Sequence, residues 1–205
     1  MTPGKDIKES FAPALALIFV VFFTALAISP VSRQVWIAEV TPVILVFALL
    51  VFTFRNFRFS NTAYGLMGYW LFWHTIGGHY TFANVPFGYV TDLMGASRNH
   101  FDRVGHFSVG FYAYPIMELL MRKYRLPLLF SALFGLFSIM SIAAGYEIIE
   151  WWYAAADGGS AGAEFLGSQG DIWDAQKDML ADTLGALFAI GWYLAATRRE
   201  RLGGK

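Results

Sequence analysis

Long blocks of hydrophobic residues alternate with short polar segments along most of this chain. Between Arg125 and Glu147 lie 21 consecutive uncharged residues, and Phe11–Ile28 forms a second block of the same kind. Coiled as an α-helix, such a block crosses the hydrocarbon core of a bilayer, which is about 30 Å thick. We therefore predict six membrane-spanning helices, at residues 11–29, 40–54, 61–78, 104–121, 126–150 and 176–196.

The fold class that follows is all-α: a polytopic bundle of membrane helices forming one domain over residues 1–205. The second span has only 15 uncharged residues, between Glu39 and Arg55, and must use its flanks to cross the bilayer. The fourth and sixth spans are interrupted by ionisable residues. Lys5 and Lys8 resemble the start of a signal peptide, but the long first span and the five that follow it favour an uncleaved helix.

Lysine and arginine are unevenly divided between the two sides of this predicted topology. With the N-terminus in the cytoplasm, the cytoplasmic segments carry 11 of the 15 basic residues. The other side carries only Arg33, Arg98, Arg103 and Lys177. Because basic residues are enriched in cytoplasmic loops, both termini are predicted to be cytoplasmic.

The composition narrows the range of functions. The chain is 57% hydrophobic and 15% charged, which is typical of a protein whose main partners are membrane lipids. It has no cysteine, which excludes disulfides and iron–sulfur ligation. Its formal net charge is zero, so there is no basic excess of the kind that binds nucleic acid.

Ionisable residues gather at the predicted extracytoplasmic ends of four spans. They are His74 and His79 on the third, Asp102 and His106 on the fourth, Glu147 and Glu150 on the fifth, and Asp171, Asp174, Asp178 and Asp182 around the start of the sixth. Residues four apart share a helix face, which applies to Asp102 and His106 and to the last three aspartates. An unpaired acid in the apolar layer costs about 2.5–3.5 kcal/mol, so these carboxylates need a cation, a proton or an arginine nearby.

Three interpretations of this polar layer compete. In the first, one or two divalent metal ions lie in it, since mixed imidazole and carboxylate ligands suit zinc, iron or manganese. The predicted ligands are His74, His79, Asp102, His106, Glu147, Glu150, Asp174 and Asp178. No H-E-x-x-H motif and no pair of E-x-x-H motifs is present, so this interpretation depends on predicted proximity alone.

In the second interpretation, the acids and bases form a salt-bridge lattice that closes the bundle without any ligand. In the third, the layer binds an anionic headgroup or transfers protons, with Arg98 and Arg103 contacting phosphate. The predicted substrate-binding residues are Arg98, Arg103, Asp171, Lys177 and Asp182. At the cytoplasmic end, Glu118 and Arg122 are four residues apart, which predicts an interfacial ion pair.

The leading functional hypothesis is a membrane-embedded, metal-dependent enzyme that acts on a lipid or amphiphilic envelope substrate. The alternatives are a non-enzymatic protein that binds or transports lipid or glycolipid, and an accessory subunit whose polar end docks to a larger partner. The sequence favours no particular substrate, metal or reaction.

Four separated segments of the chain carry a resemblance to a known family. They are "GGHYTFANVP" (residues 77–86), "RNHFDRVGHFSVGF" (98–111), "YEIIEWW" (146–152) and "FLGSQGDIWDAQKDM" (165–179). In this order they resemble the YjdF-type family of bacterial multi-pass inner-membrane proteins, a domain of unknown function. The resemblance implies a location in the bacterial inner membrane and supplies no activity.

A shorter pattern is similar to the VanZ-like proteins, which are associated with teicoplanin resistance. Their Asp-Lys-x-x-His pattern is similar to Asp102-Arg103-Val104-Gly105-His106, and their later Asp-x-x-x-Asn-x-x-Gly is similar to residues 178–185. Arg103 stands where that pattern has lysine, and Asp182 where it has asparagine. This similarity implies a substrate among envelope lipids or glycolipids.

Overall fold

The computed structural model describes residues 3–93, 95 and 97–203, and side chains within residues 10–93, 95 and 97–198. The described residues form helices joined by short loops, without a β-strand among them, which confirms the all-helical prediction. The helices are α1 (Pro3–Leu26), α2 (Arg33–Thr53), α3 (Asn61–Tyr80), α4 (Gly88–Leu93), α5 (Phe101–Val109), α6 (Ala113–Arg122), α7 (Leu128–Asp157), α8 (Ser160–Leu166) and α9 (Asp174–Gly203).

Each predicted span falls on a helical segment of this structure. The fourth span corresponds to α5 and α6 together, which a 3₁₀ turn at Gly110–Tyr112 connects. Within the described part of the chain, Arg33–Thr53, Leu128–Asp157 and Asp174–Arg198 are long and apolar enough to cross a membrane, with mean hydropathies of 2.4, 2.0 and 1.5. Ser10–Leu26 is a shorter apolar helix.

The second helix begins seven residues before the predicted span, at Arg33 rather than residue 40. Ser32 caps it, since the Ser32 hydroxyl accepts a hydrogen bond from the Val35 N–H at 3.4 Å. Glu39 therefore lies inside α2 and is buried. The predicted boundary was too late because a charged residue was taken as the end of a hydrophobic block.

The centre of the bundle is packed by α3, α6, α7 and α9. Met67, Met117, Ile139, Ala186 and Ala189 form a fully buried apolar cluster between these helices. α1 and α2 pack on the other side of α3 through a second cluster that includes Phe19, Val43, Trp70 and Leu71. α3 thus has neighbours on two sides, and 11 of its 20 residues are buried. Because less of its surface faces lipid, α3 needs fewer apolar residues than a helix at the edge of the bundle does.

Two glycines allow the start of α9 to lie against the fourth span. A Cβ atom at Gly110 would overlap the backbone of α9, and one at Gly185 would overlap the backbone carbonyl of Phe107. Only glycine permits such a close approach of two helices without displacing one of them. The crossing brings the face of α5 that carries His106 against the face of α9 that carries Asp182.

Candidate functional site

Most of the buried ionisable residues lie at one end of the bundle, where α3 and α7 end and α5 and α9 begin. We call this the polar end. Its buried ionisable side chains are Glu39, His74, His106, Glu147, Glu150, Asp174, Asp178 and Asp182. The convergence of α3, α5, α7 and α9 that the sequence predicts is therefore present, and α2 adds Glu39 to it.

His106 on α5 is at the centre of one group of carboxylates. Its Nδ1 atom lies 3.0 Å from Asp182 Oδ2, and its Nε2 atom lies 3.6 Å from Asp102 Oδ1 and 3.7 Å from Asp178 Oδ1. Asp102 is four residues earlier on the same helix, whereas Asp178 and Asp182 are successive residues of one face of α9. The Nδ1 side of the imidazole thus contacts Asp182, and its Nε2 side faces the carboxylates of Asp102 and Asp178.

Three of these residues are arranged as metal ligands would be. One donor atom from each of Asp102, His106 and Asp178 lies within 4.8 Å of the other two. A carboxylate that accepts a hydrogen bond from the second nitrogen of a ligating histidine fixes its tautomer and orientation, and Asp182 is placed for that role. The donor set of one imidazole and two carboxylates suits zinc, iron or manganese.

Two arginines neutralise the remaining aspartates near the start of α9. Arg98 Nη1 lies 2.6 Å from Asp174 Oδ1 and 3.4 Å from Asp171 Oδ2. Arg103 forms ion pairs with Asp174 and Asp178 and lies 3.5 Å from Asp171. The arginines predicted to contact phosphate are therefore paired with carboxylates of the protein, although Arg98 retains two buried nitrogens without a hydrogen-bond partner.

Asp171 and Lys177 form the outermost part of this lattice. Lys177 Nζ donates a hydrogen bond to Asp171 Oδ2 at 2.6 Å, and the Trp173 N–H donates to Asp171 Oδ1 at 3.1 Å. The hydrogen bond from Lys177 lowers the pKa of the Asp171 carboxyl, with a smaller contribution from the Trp173 N–H. This carboxylate is therefore held in its charged form.

A cavity of about 200 Å³ lies beside the His106 group. Its ionisable lining is Glu39, His74, Asp102, His106, Glu150 and Asp182. Within the described part of the chain, no lysine or arginine lines it. Its remaining surface is mostly apolar and aromatic, and includes Trp70, Phe82, Tyr112 and Phe165. The cavity therefore combines an excess of acids with a predominantly hydrophobic wall.

The same cavity is lined by a second polar group that the sequence analysis did not anticipate. His74 Nε2 lies 3.1 Å from Glu39 Oε2, and the Tyr146 hydroxyl donates a hydrogen bond to the same oxygen at 3.2 Å. Glu39 was missed because it was read as a boundary of the second span. The N-capping serine at position 32 was the signal that would have extended α2 to include it.

The other predicted site residues differ in their surroundings. His79 is not close to the His106 group: its Nδ1 atom lies 2.7 Å from the Leu26 carbonyl oxygen at the end of α1. Glu147 and Glu150 are buried on α7, and Glu147 Oε1 has no hydrogen-bond partner. Asp182 Oδ1 is also buried without a partner. The predicted set thus divides into a His106 group, an arginine lattice, two glutamates on α7, His74 beside Glu39, and His79 beside the end of α1.

Together these features define a multi-pass helical membrane protein with an acidic, histidine-containing cavity at one end of its bundle. The chain belongs to the family described as "Predicted membrane protein (DUF2238)", whose model matches residues 11–199. It is 39% identical over 184 residues to "Inner membrane protein YjdF" of Escherichia coli (strain K12). The aligned segment covers 86% of this chain and 85% of that protein. No solved structure matches the chain.

Family membership confirms the predicted resemblance and the predicted location. The chain is a multi-pass protein of the bacterial inner membrane, in contact with its lipids. Neither the family nor the relative carries a stated activity in its name.

Proposed function

We propose that this protein is a membrane-embedded enzyme that uses a divalent metal ion at Asp102, His106 and Asp178 to act on the polar group of a lipid or amphiphilic envelope molecule. The observation that supports this most is the placement of the three donor atoms within 4.8 Å of one another. Asp102 and His106 also line the cavity, so an ion between them would be accessible to a ligand there.

The surroundings of the three ligands are compatible with a bound ion. Asp182 orients His106 from behind, leaving Nε2 directed toward the two carboxylates. Arg103 now pairs with Asp178, but it also contacts Asp174 and Asp171, so it keeps carboxylate partners when Asp178 turns to a metal. The ion we propose is zinc, iron or manganese. The other predicted ligands, Glu147, Glu150, Asp174, His74 and His79, lie outside this group of three donors.

The size of the cavity limits what the substrate can place in it. Pockets that enclose a drug-sized ligand have volumes of about 300–1,000 Å³, whereas this cavity has about 200 Å³. It therefore accommodates one polar group, while the acyl chains stay among the exposed apolar side chains in the bilayer. A metal held by Asp102, His106 and Asp178 would supply Lewis-acid chemistry there, which can polarise a phosphoryl or acyl oxygen and activate water. A carboxylate of the cavity that does not ligate the metal would act as general base.

We further propose that the chain crosses the membrane six times as one domain over residues 1–205, with both termini in the cytoplasm. The support is the ratio of 11 cytoplasmic to four extracytoplasmic basic residues. The polar end then faces the periplasm, near the headgroups of the outer leaflet. Because the chain has no cysteine, a single cysteine at Ser168 or at Tyr124 gives an unambiguous test. A membrane-impermeant maleimide should label the first in intact spheroplasts and the second only after lysis.

The metal is tested by elemental analysis of the detergent-purified protein. We expect close to one equivalent of zinc, iron or manganese in the wild type and loss of most of it in His106→Ala. His79→Ala is the matched control, because His79 contacts the Leu26 carbonyl and should leave the metal content unchanged. Wild-type protein that is free of metal yet retains phospholipid would favour a binding or transport protein of VanZ-like kind over an enzyme. Co-purification of one fixed partner would favour an accessory subunit.

A further inference from the structure

Two carboxylates at the polar end have no cation assigned to them. Asp102, His106 and Asp178 form the proposed metal site, and Asp182 contacts His106. Asp171 and Asp174 are paired with arginines, and Glu39 contacts His74 and Tyr146. Glu147 and Glu150, three residues apart on α7, remain. No hydrogen bond or ion pair to either carboxylate occurs among the described residues, and both are buried.

Glu150 is the member of this pair that reaches the cavity. It lines the cavity wall although only 9% of the residue is exposed, so its carboxylate faces a largely enclosed space rather than bulk water. Glu147, one helical turn earlier, has one oxygen buried without a partner. Two neighbouring ionised acids in an apolar layer are costly unless a cation or a proton neutralises them. A cationic group of a ligand would do so here, since no lysine or arginine in the described part of the chain lines the cavity.

We propose that Glu150, supported by Glu147, binds the protonated primary amine of the substrate; this rests on the proposed function, in which the cavity takes the polar group of an amphiphile. The ligand chemistry is a primary ammonium. It belongs either to the headgroup of an aminophospholipid or to a soluble amine.

An ammonium fits this pair better than a second metal ion does. Among the described residues, only Asp102, His106 and Asp178 offer three close donor atoms, and neither glutamate belongs to that group. A bound metal needs at least three protein ligands in most buried sites. An ammonium needs only acceptors for three N–H groups and tolerates aromatic neighbours through cation–π contact.

The rest of the cavity agrees with this assignment. Trp70, Phe82, Tyr112, Tyr146 and Phe165 supply aromatic surface around the acids. An anionic phosphate beside Glu150 would face Glu39, Glu150 and Asp182 without a lysine or arginine among the described lining residues to offset them. The exposed Trp151 and Trp152 follow Glu150 directly on α7, and tryptophan is enriched at the depth of lipid headgroups. An amine of a headgroup therefore lies at the right depth to reach Glu150.

Native mass spectrometry of the metal-loaded protein in detergent tests the proposal with three probes. They are phosphatidylethanolamine, its N-acetylated form, which lacks the charged amine, and phosphatidylglycerol. We expect the first to bind at least about tenfold more tightly than either of the others, because only its charged amine can donate strong hydrogen bonds to the carboxylate. In Glu150→Gln this preference should fall below about twofold, whereas Glu150→Asp should retain part of it.

Glu164→Gln is the matched control, because Glu164 is exposed on α8 and undergoes the same chemical change. Metal content at the wild-type level shows that Glu150→Gln has kept the fold of the polar end. An excess of ethanolamine that displaces the lipid identifies a soluble amine as a sufficient ligand, and failure to displace it identifies the lipid form. Equal binding of the two ethanolamine lipids by metal-replete wild type overturns the amine site and leaves the proposed metal site standing. Wild-type protein that is free of metal but keeps the preference for phosphatidylethanolamine overturns the proposed metal site and leaves the amine site standing.

Discussion

Buried acids occur at both ends of the bundle, and the two groups differ in how their oxygens are satisfied. Glu118, near the end of α6, accepts hydrogen bonds of 2.7 Å from the N–H and from the hydroxyl of Ser60, and it is paired with Arg122. Ser60 is also the N-cap of α3, since its hydroxyl accepts a hydrogen bond from the Ala63 N–H. Glu118 therefore ties the start of α3 to α6.

At the polar end, by contrast, Glu147 Oε1 and Asp182 Oδ1 are buried without partners, and Glu150 faces the cavity. Buried polar atoms are nearly always hydrogen-bonded in folded proteins, so unpartnered oxygens beside a cavity indicate a place for a ligand. The difference teaches that burial of a carboxylate does not by itself mark a functional site. What matters is whether the protein already supplies its partners.

The largest effect that separates the two ends should come from Glu118→Ala. This change removes the buried carboxylate that accepts hydrogen bonds from the half-buried Ser60 and pairs with Arg122, so we expect a loss of about 3 kcal/mol in the free energy of unfolding. Unfolding of the purified protein in dodecyl sulfate, followed by circular dichroism, measures it. Arg122→Ala should cost less, because the Arg122 side chain is 52% exposed.

Metal content serves as the second readout for the same variant. The folded fraction of Glu118→Ala should bind metal as the wild type does, because Glu118 lies at the opposite end of the bundle from His106. Loss of metal from protein that is still folded would mean that the two ends of the bundle are coupled.

The all-helical fold was predictable from the sequence because long hydrophobic blocks in a membrane have to satisfy their backbone hydrogen bonds as helices, whereas the count of six spans stays a prediction. The ion pair of Glu118 and Arg122 was predicted correctly from their spacing, but its burial and its link to Ser60 were not. Those features depend on how α3 and α6 meet, and no local pattern encodes that contact.

The candidate site was predictable in part for the same reason. Topology placed His106 and the aspartates of α9 at one depth, and the four-residue spacing placed each set on one face. Periodicity could not show that Gly110 and Gly185 let α5 and α9 lie close enough for His106 to reach Asp182. Nor could it pair His74 with Glu39 or turn His79 toward Leu26.

A smaller effect is expected from Asp182→Asn, which tests whether the polar end is built for a ligand. The amide can still contact His106, but it is a weaker acceptor than the carboxylate for the Nδ1 proton. We expect the dissociation constant for the metal to rise by about 10- to 100-fold, the range found when a partner of a ligating histidine is removed. Titration of the metal-stripped protein with zinc measures it.

Asp171→Asn is the matched control for that titration. It makes the same chemical change in the arginine lattice, outside the three proposed ligands, and should leave zinc affinity within about twofold of wild type. If the two variants weaken zinc binding equally, the effect is the general loss of negative charge, and the specific role given to Asp182 is wrong.

The smallest effect concerns the exposed edge of the polar end and depends on pH. The hydrogen bond from Lys177 lowers the pKa of Asp171, so the folded state holds this carboxylate charged more strongly than the unfolded state does. A carboxyl with a depressed folded pKa contributes stability above its unfolded pKa, and that contribution is lost as pH falls through the folded value. The loss should therefore occur below about pH 4.

In Lys177→Met the thermal midpoint should lie slightly below that of wild type at pH 7, and the difference should narrow as pH falls from 5 to 3. Lys123→Met, which changes an exposed lysine at the other end of the bundle, should show no such narrowing. A gap between Lys177→Met and wild type that stays constant over this range would mean that Lys177 acts by something other than its bond to Asp171, and that the outer edge of the arginine lattice is held together without it.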